Sequence, residues 1–296
     1  MELRHLRYFI AVADAGSLTV AAEQKLHTSQ PSLSRQIRDL EREVGVQLMN
    51  RSAHGIELTS AGKAFLDHAR AALLQAEAAK EAALRAAHLA RPKIALGFMS
   101  GAEIGLLPEV TRILDGEFHG IDIRLSSDYS PALAKALIRG KLDAAFMRPE
   151  EHMGELASRR VRTDPLIFIL PKHHRLVSQK AIAPQEVANE AFILPSKTAP
   201  AVRRTVLAYF NAAGVDLKPE HEVHNVVHAI SMITSTRAVM LLPAYTPRFL
   251  PDSVTTRPVK GEVPTLDLVM AYHKANNSPI LKVLLANIGK LVGAPS

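Results

Sequence analysis

The chain has no cysteine and no tryptophan. Without thiols it can build no disulfide framework, no thiolate zinc site and no cysteine nucleophile, and control by disulfide exchange is excluded. Aromatic residues are scarce, 5% of 296 positions. No run approaches the roughly 18 consecutive apolar residues of a membrane span. Met1–Tyr8 carries Arg4, His5 and Arg7 among its apolar residues, unlike the long apolar core of a secretory signal. These absences set the expectation of a soluble, cytoplasmic protein with no membrane partner. What is present is 47% apolar residues, enough for one large domain or two to three smaller ones, and a net charge of +7. A basic chain invites a nucleic-acid partner, yet residues 1–60 carry seven Lys/Arg against seven Asp/Glu, so the excess lies further on. Net charge speaks only to steering; placement has to decide the partner.

Three textures follow one another. From Met1 to about Leu58 the sequence reads as short amphipathic helices broken by glycine and serine. Leu3, Leu6, Phe9, Ile10 and Ala13 recur at helical spacing, and Gly16 with Ser17 is placed to stop one helix and cap the next. Leu18–Leu26 reads as a second helix and His27–Gln30 as a turn. Pro31 suits the first turn of a third helix ending near Gly45, because its missing N–H costs nothing there. From about Thr59 to Ala90 nothing after Gly62 breaks a helix, and 13 of the 30 positions from Ala61 to Ala90 are alanine, the strongest helix former. Such a segment makes a rod of roughly 45 Å. Phe65, Leu66, Ala69, Leu73, Ala76, Leu84 and Ala87 give it an apolar side with no domain of its own to pack on. Pairing with the same helix of a second chain is therefore expected, a solvated spacer being the alternative.

From Lys93 onward short apolar runs alternate with helical patterns, the signature of an α/β domain. Strands are expected at Ile94–Phe98, Ile121–Leu125, Asp143–Met147, Leu166–Leu170, Ala191–Leu194, Glu222–Asn225, Ala238–Leu242 and Leu266–Ala271. Helices are expected at Leu106–Glu117, Pro131–Arg139, Ala199–Ala213, Val226–Ser235 and Pro279–Leu291. Prolines and charges from Asp164 to Pro184 suggest a chain crossing between two lobes.

At 100° per residue, Leu33, Ile37, Leu40 and Val44 form one stripe of the third helix, and Pro31, Ser34, Arg35, Arg38 and Arg42 fall on the opposite face. Its acids, Asp39, Glu41 and Glu43, fall to the flanks. A short helix with a basic, hydroxyl-bearing outer face, presented after a tight turn, has the geometry to enter a DNA major groove, although an ordinary solvated face has the same pattern. Thr28, Ser29, Gln30, Pro31 and Ser32 crowd the helix start, where free backbone N–H groups and hydroxyls suit a phosphate. Beyond Gly45, two strand-like pieces flank a turn at His54-Gly55 and look like a wing, with Arg51 and His54 near its tip.

At this point the chain resembles the LysR-type transcriptional regulators. The resemblance is carried by Leu3-Arg4-His5-Leu6-Arg7-Tyr8-Phe9, Ala21-Ala22, Leu26-His27-Thr28-Ser29-Gln30-Pro31-Ser32-Leu33-Ser34, Ile37, Leu40-Glu41, Val44-Gly45 and Leu58-Thr59-Ser60-Ala61-Gly62. It implies an α/β chain with an N-terminal all-α winged helix-turn-helix domain (1–58), a long linker, or dimerisation, helix (59–91) and a two-lobed effector domain similar to periplasmic binding proteins (92–296). Lobe I would span about 92–161 and 266–296, and lobe II about 162–265. Gln30, Pro31, Ser34 and Arg35 match the family's usual base-edge and phosphate contacts, and Arg51 the wing arginine. Met49 departs from the phenylalanine often found there. The implied partners are double-stranded promoter DNA, further copies of the chain in a dimer of dimers, and a small anionic effector, a carboxylate, that shifts the population of lobe arrangements.

Leu106-Leu107-Pro108, Gly140-Lys141-Leu142-Asp143, Met147-Arg148 and Met240-Leu241-Leu242-Pro243 are similar to the subset that regulates aromatic-acid catabolism, with phenylpropionate- and benzoate-type effectors. Read from the residues, Gly97-Phe98-Met99-Ser100-Gly101 is a small-residue loop that can offer donors to an anion, and Ser130-Pro131 is an N-cap followed by a helix-starting proline. By resemblance Ser100 and Ser130 hold the effector carboxylate. Arg148 can supply a counter-charge or form an interface salt bridge. On the second lobe Ser196 precedes one helix, and Asn225 to His228 opens another. Phe98, Phe146, Val227 and Ile230 suit an apolar pocket, or simply core. Arg237 stands where the family often has a glycine-rich turn, either shaping specificity or pairing with an acid at a chain interface.

Rival classes find less support. Gly97, Gly101 and Gly105 do not have dinucleotide-fingerprint spacing, and Ser100 lacks the first glycine of a nucleophile elbow. His221, His224 and His228 straddle a change from strand to helix without a completing carboxylate, so no metal site is expected and no cofactor. A translocated solute-binding protein would need neither the first sixty residues nor a start of this kind. A non-aromatic effector remains an alternative within the family.

Overall fold

The computed structural model describes residues 1–52, 55–86, 91–151 and 153–291. It forms two compact units: Met1–Arg91 with the short segments Ile138–Gly140 and Lys274–Pro279, and Pro92–Leu137 with Lys141–His273 and the chain from Ile280. Among the described residues no helix is long and apolar enough to cross a membrane.

In the first unit α1 (Leu3–Ala15) buries Leu6, Phe9 and Val12 and stops at Gly16, which is left-handed at φ 62° and sends its N–H back to Val12. Ser17 then caps the next turn by accepting the Val20 N–H. The expected single second helix is instead a short α2 (Leu18–Val20) running into a π-helical turn, Ala21–Leu26, with Ala21 and Ala22 buried. α3 (Gln30–Val44) starts one residue ahead of Pro31, is capped by the Ser29 hydroxyl, and buries Leu33, Ile37 and Leu40 before Gly45 ends it. β1 (Met49–Ser52) and β2 (Gly55–Leu58) pair antiparallel as the wing.

α4 (Ser60–Ala86) follows, about 40 Å long at 1.5 Å per residue. Thr59 Oγ1 accepts the Gly62 N–H at 2.9 Å. Only glycine fits at position 62, because a Cβ there would lie 1.9 Å from the Leu48 carbonyl oxygen. The apolar side expected to await a partner is partly used within the chain. Phe65, Leu66, Ala69 and Leu73 join the N-terminal core, with the Phe65 ring edge-on to Phe9 at 5.1 Å. Ala87 lies outside the described residues.

The second unit opens with β3 (Lys93–Met99), α5 (Glu103–Glu117), β4 (Asp122–Asp128), α6 (Ser130–Ile138) and β5 (Ala144–Met147), in which β3 pairs parallel with both β4 and β5. β6 (Leu156–Pro171) is 16 residues long. Its first part pairs with β11 (Thr265–His273), and its last part with β9 (Met240–Pro243) and β10 (Val254–Pro258), so one strand joins the sheets of both lobes. Between these come β7 (Phe192–Pro195), α7 (Pro200–Ala212), β8 (Pro219–Val223) and α8 (Val226–Thr236); α9 (Pro279–Ala286) closes on the first lobe. The crossing expected from Asp164 is thus continuous strand, and β10, short and half polar, was not foreseen. β8 ends before the expected Asn225, which caps α8 by accepting the His228 N–H at 2.8 Å.

Candidate functional site

Two surfaces bring the expected residues together. At the start of α3, Ser29, Pro31 and Ser32 are exposed, and Thr28 and Gln30 half-buried. Arg35 and Arg38 are exposed one and two turns on. Asp39 lies 3.0 Å from Arg42 and 4.0 Å from Arg35, which tempers two of the cations, while Arg38 has no ionic partner among the described residues. Ser34 corrects the helical wheel: it is 5% exposed, and its hydroxyl accepts from Arg51 Nη1 at 3.1 Å. The wing folds over that side of the helix, so Ser34 fixes Arg51 rather than presenting its own hydroxyl. Glu41 is likewise occupied, accepting the Leu48 and Met49 N–H groups at 2.8 and 3.0 Å. His54 lies outside the described residues.

The second surface is a cavity of about 90 Å³ between the lobes, several times what one water needs. Its first-lobe wall comes from the C-terminal ends of parallel strands, where open α/β sheets bind ligands: Met99, which ends β3, and Ser100; Asp128, which ends β4, with Tyr129 and Ser130; and Arg148 after β5. The second-lobe wall is mostly apolar, with Pro195, Val202, Val223, Val226, Ala229, Met240 and Leu242, interrupted by His224 and Asn225. Tyr129 reaches across, its hydroxyl donating to the His224 carbonyl.

Ser130 does not act as a plain cap. It begins α6, and its Oγ accepts the Arg148 N–H at 3.0 Å. Arg148 is 1% exposed, donates from Nη1 to the Leu266 carbonyl at 3.1 Å and lies 2.8 Å from Asp164. Its Nε has no hydrogen-bond partner among the described residues. Arg162 holds the other Asp164 oxygen at 2.8 Å. Burial pushes the Tyr245 phenol above its ordinary pKa, opposed by the Arg148 charge and by a hydrogen bond with the Arg148 side chain and helped by Asp164, so the phenol stays neutral beside them.

Several expected lining residues stand elsewhere. Phe146 is buried in the first lobe, stacked on Phe98 at 5.0 Å. Gly101, at φ 92°, shapes the turn after β3 without lining the cavity. Ser196 is buried behind His224. Val227 and His228 point outward, Val227 being 78% exposed, because the exposed face of α8 and not its buried face carries them. Arg237 is exposed and outside the cavity. Tyr129, His224 and Tyr245 were missed. Tyr129 had a signal, the end of a parallel strand directly before a helix-starting Ser-Pro; the others came close only through the fold. The three histidines hold no metal geometry: among the described residues no group of three or more His, Asp or Glu is arranged to hold one.

The family model described as the bacterial regulatory helix-turn-helix protein of the lysR family matches residues 3–63, and that of the LysR substrate binding domain matches residues 87–291. The chain belongs to the LysR family. This LysR-type regulator is 36% identical over 289 residues to the Hca operon transcriptional activator HcaR of Escherichia coli, covering 97% of this chain and 96% of the relative. It is 30% identical over 269 residues to the regulator BenM of Acinetobacter baylyi, covering 86% and 88%. Among solved structures, the LysR family regulator CbnR aligns with TM-score 0.60 at 26% identity, covering 97% of this chain and all of that one. Full-length BenM aligns with TM-score 0.60 at 26% identity, covering 98% and 96%. These relatives are regulators, not enzymes. The α3 face and the wing lie within the residues that the helix-turn-helix model matches, and the cavity within those that the substrate binding domain model matches.

Proposed function

We propose that this regulator reads double-stranded promoter DNA with Thr28, Ser29, Gln30, Pro31, Ser32, Arg35, Arg38, Arg51 and His54, and that a small aromatic carboxylate in the cavity controls it. The segments 1–58, 59–91 and 92–296 serve as reader, dimerisation helix and effector domain. Four chains assemble as a dimer of dimers, each pair setting two recognition helices against two half-sites.

The observation that carries the carboxylate is Arg148, buried beside the cavity with an unpaired Nε–H. An unsatisfied buried donor is costly, and a carboxylate oxygen relieves it. Ser130 already accepts from the Arg148 backbone, which leaves its own hydroxyl hydrogen to donate. Asp164 balances much of the Arg148 charge and Asp128 stands at the rim, so selection rests on directed donors more than on net charge. The apolar second-lobe wall suits a flat hydrocarbon body. Thermal unfolding with matched pairs, benzoate against benzamide and 3-phenylpropionate against its amide, tests it. The acids should raise the midpoint, by about 2.7 kcal/mol of stabilisation at a hundredfold excess over Kd. Amides acting equally well would refute the carboxylate.

A further inference from the structure

Apart from the Tyr245 phenol, the second-lobe wall is apolar except at the segment that joins β8 to α8. There the His224 ring is held from behind: Nδ1 lies 3.0 Å from Ser196 Oγ, and that serine, 2% exposed, is bound to Thr198 Oγ1 at 2.6 Å and accepts the Thr198 N–H at 3.3 Å. The His228 ring stacks on it at 6.3 Å. A histidine oriented through one nitrogen presents the other in a defined direction, as donor or acceptor according to its tautomer. His224 lines the cavity and is exposed, and its Nε2, without a hydrogen-bond partner among the described residues, is left to water. The same residue also receives the Tyr129 hydroxyl from the first lobe on its carbonyl, so it stands where the two walls meet. A wholly hydrocarbon ligand body would shut Nε2 away from water without a partner, which disfavours such a ligand.

We infer that His224 is a second polar anchor for the effector, which is therefore an acid bearing a second oxygen function, a hydroxyl or a further carboxylate, away from the carboxylate held by Arg148, Ser100 and Ser130. The inference rests on the proposed reading of the cavity as a carboxylate site. A hydroxyl satisfies Nε2 in either tautomer, whereas a second carboxylate needs Nε2–H.

Calorimetric titration of the full chain with benzoate, the three hydroxybenzoates and the three benzenedicarboxylates scans the position and kind of the second group. At least one oxygenated acid should bind about tenfold more tightly than benzoate, the gain of one well-made hydrogen bond. His224→Phe should abolish that preference. His224→Gln, whose amide reaches the place of Nε2, should keep most of it. Because the preference is a ratio measured within each variant, a general loss of stability cannot imitate it. Benzoate binding as tightly as every oxygenated congener, or a preference that survives His224→Phe, would overturn the inference while leaving the carboxylate site standing. If none of the seven acids bound while 3-phenylpropionate did, the second anchor would fall and the carboxylate site stand; if 3-phenylpropionate failed as well, both would fall.

Discussion

Arg237 adopts φ 58° at the end of α8, the left-handed region that glycine occupies without strain and an arginine does not. Nothing near it offsets that cost: the side chain is exposed and has no ion pair among the described residues. The place of a helix-ending residue in this region follows from backbone geometry alone, so the arginine is tolerated here, not required by the turn. Arg237→Gly should therefore stabilise the protein by about 0.5–1 kcal/mol, the relief of left-handed strain less the extra freedom glycine brings to the unfolded chain. Thermal unfolding reads the gain. Because Arg237 does not line the cavity, the shift that a bound acid adds should be the same in both proteins, and a smaller shift in the variant would show the side chain acting on the ligand after all.

At the scale of elements, the wing and α3 form one unit because Arg51 donates to buried Ser34 and Glu41 takes the two N–H groups that lead into β1. Two variants separate positioning from charge. Arg51→Ala should lower promoter affinity and reduce the slope of log K against log salt by about one, the loss of one phosphate contact. Ser34→Ala loosens the arginine without removing its charge, so affinity should fall less and the slope stay near that of the unaltered protein. An unchanged slope in Arg51→Ala would mean that Arg51 reaches no phosphate. Much of this element was legible in sequence, since the stripe of Leu33, Ile37 and Leu40, the place of Pro31 in the first turn and the glycine stops are local signals. What was not legible is long-range. Ser34 lies opposite the core stripe on a wheel, and only the returning wing buries it. The first half of α4 looked free of a domain, yet its Phe65 meets Phe9. In the effector domain, the Arg-rich first part of β6 hid a strand because Ser158, Arg159 and Arg160 are exposed in a row and the register slips opposite Leu268 and Val269, so no alternation shows, and Phe146 was an aromatic in search of a pocket that stacking on Phe98 had already filled.

At the scale of the whole molecule, ligand chemistry meets fold at Asp164. This residue lies on β6 where pairing passes from β11, in the first lobe's sheet, to β9 and β10 in the second, and it sits between Arg148 and Arg162 at 2.8 Å from each. On the proposed reading, a carboxylate that approaches Arg148 would compete with Asp164 for the same guanidinium and so act at the strand that joins the lobes. Asp164→Asn makes this measurable. Removing the acid leaves the buried Arg148 charge uncompensated and should cost about 3–5 kcal/mol of stability. An acid in the cavity then restores part of the missing countercharge, so the stabilisation that saturating carboxylate adds should be larger in Asp164→Asn than in the unaltered protein. Thermal unfolding of both, with and without the acid, gives the comparison. Equal gains would place the ligand carboxylate away from Arg148. A larger gain would mean that ligand and strand share one arginine, the condition under which binding can bias how the lobes sit and thereby shift the population of arrangements available to the regulator.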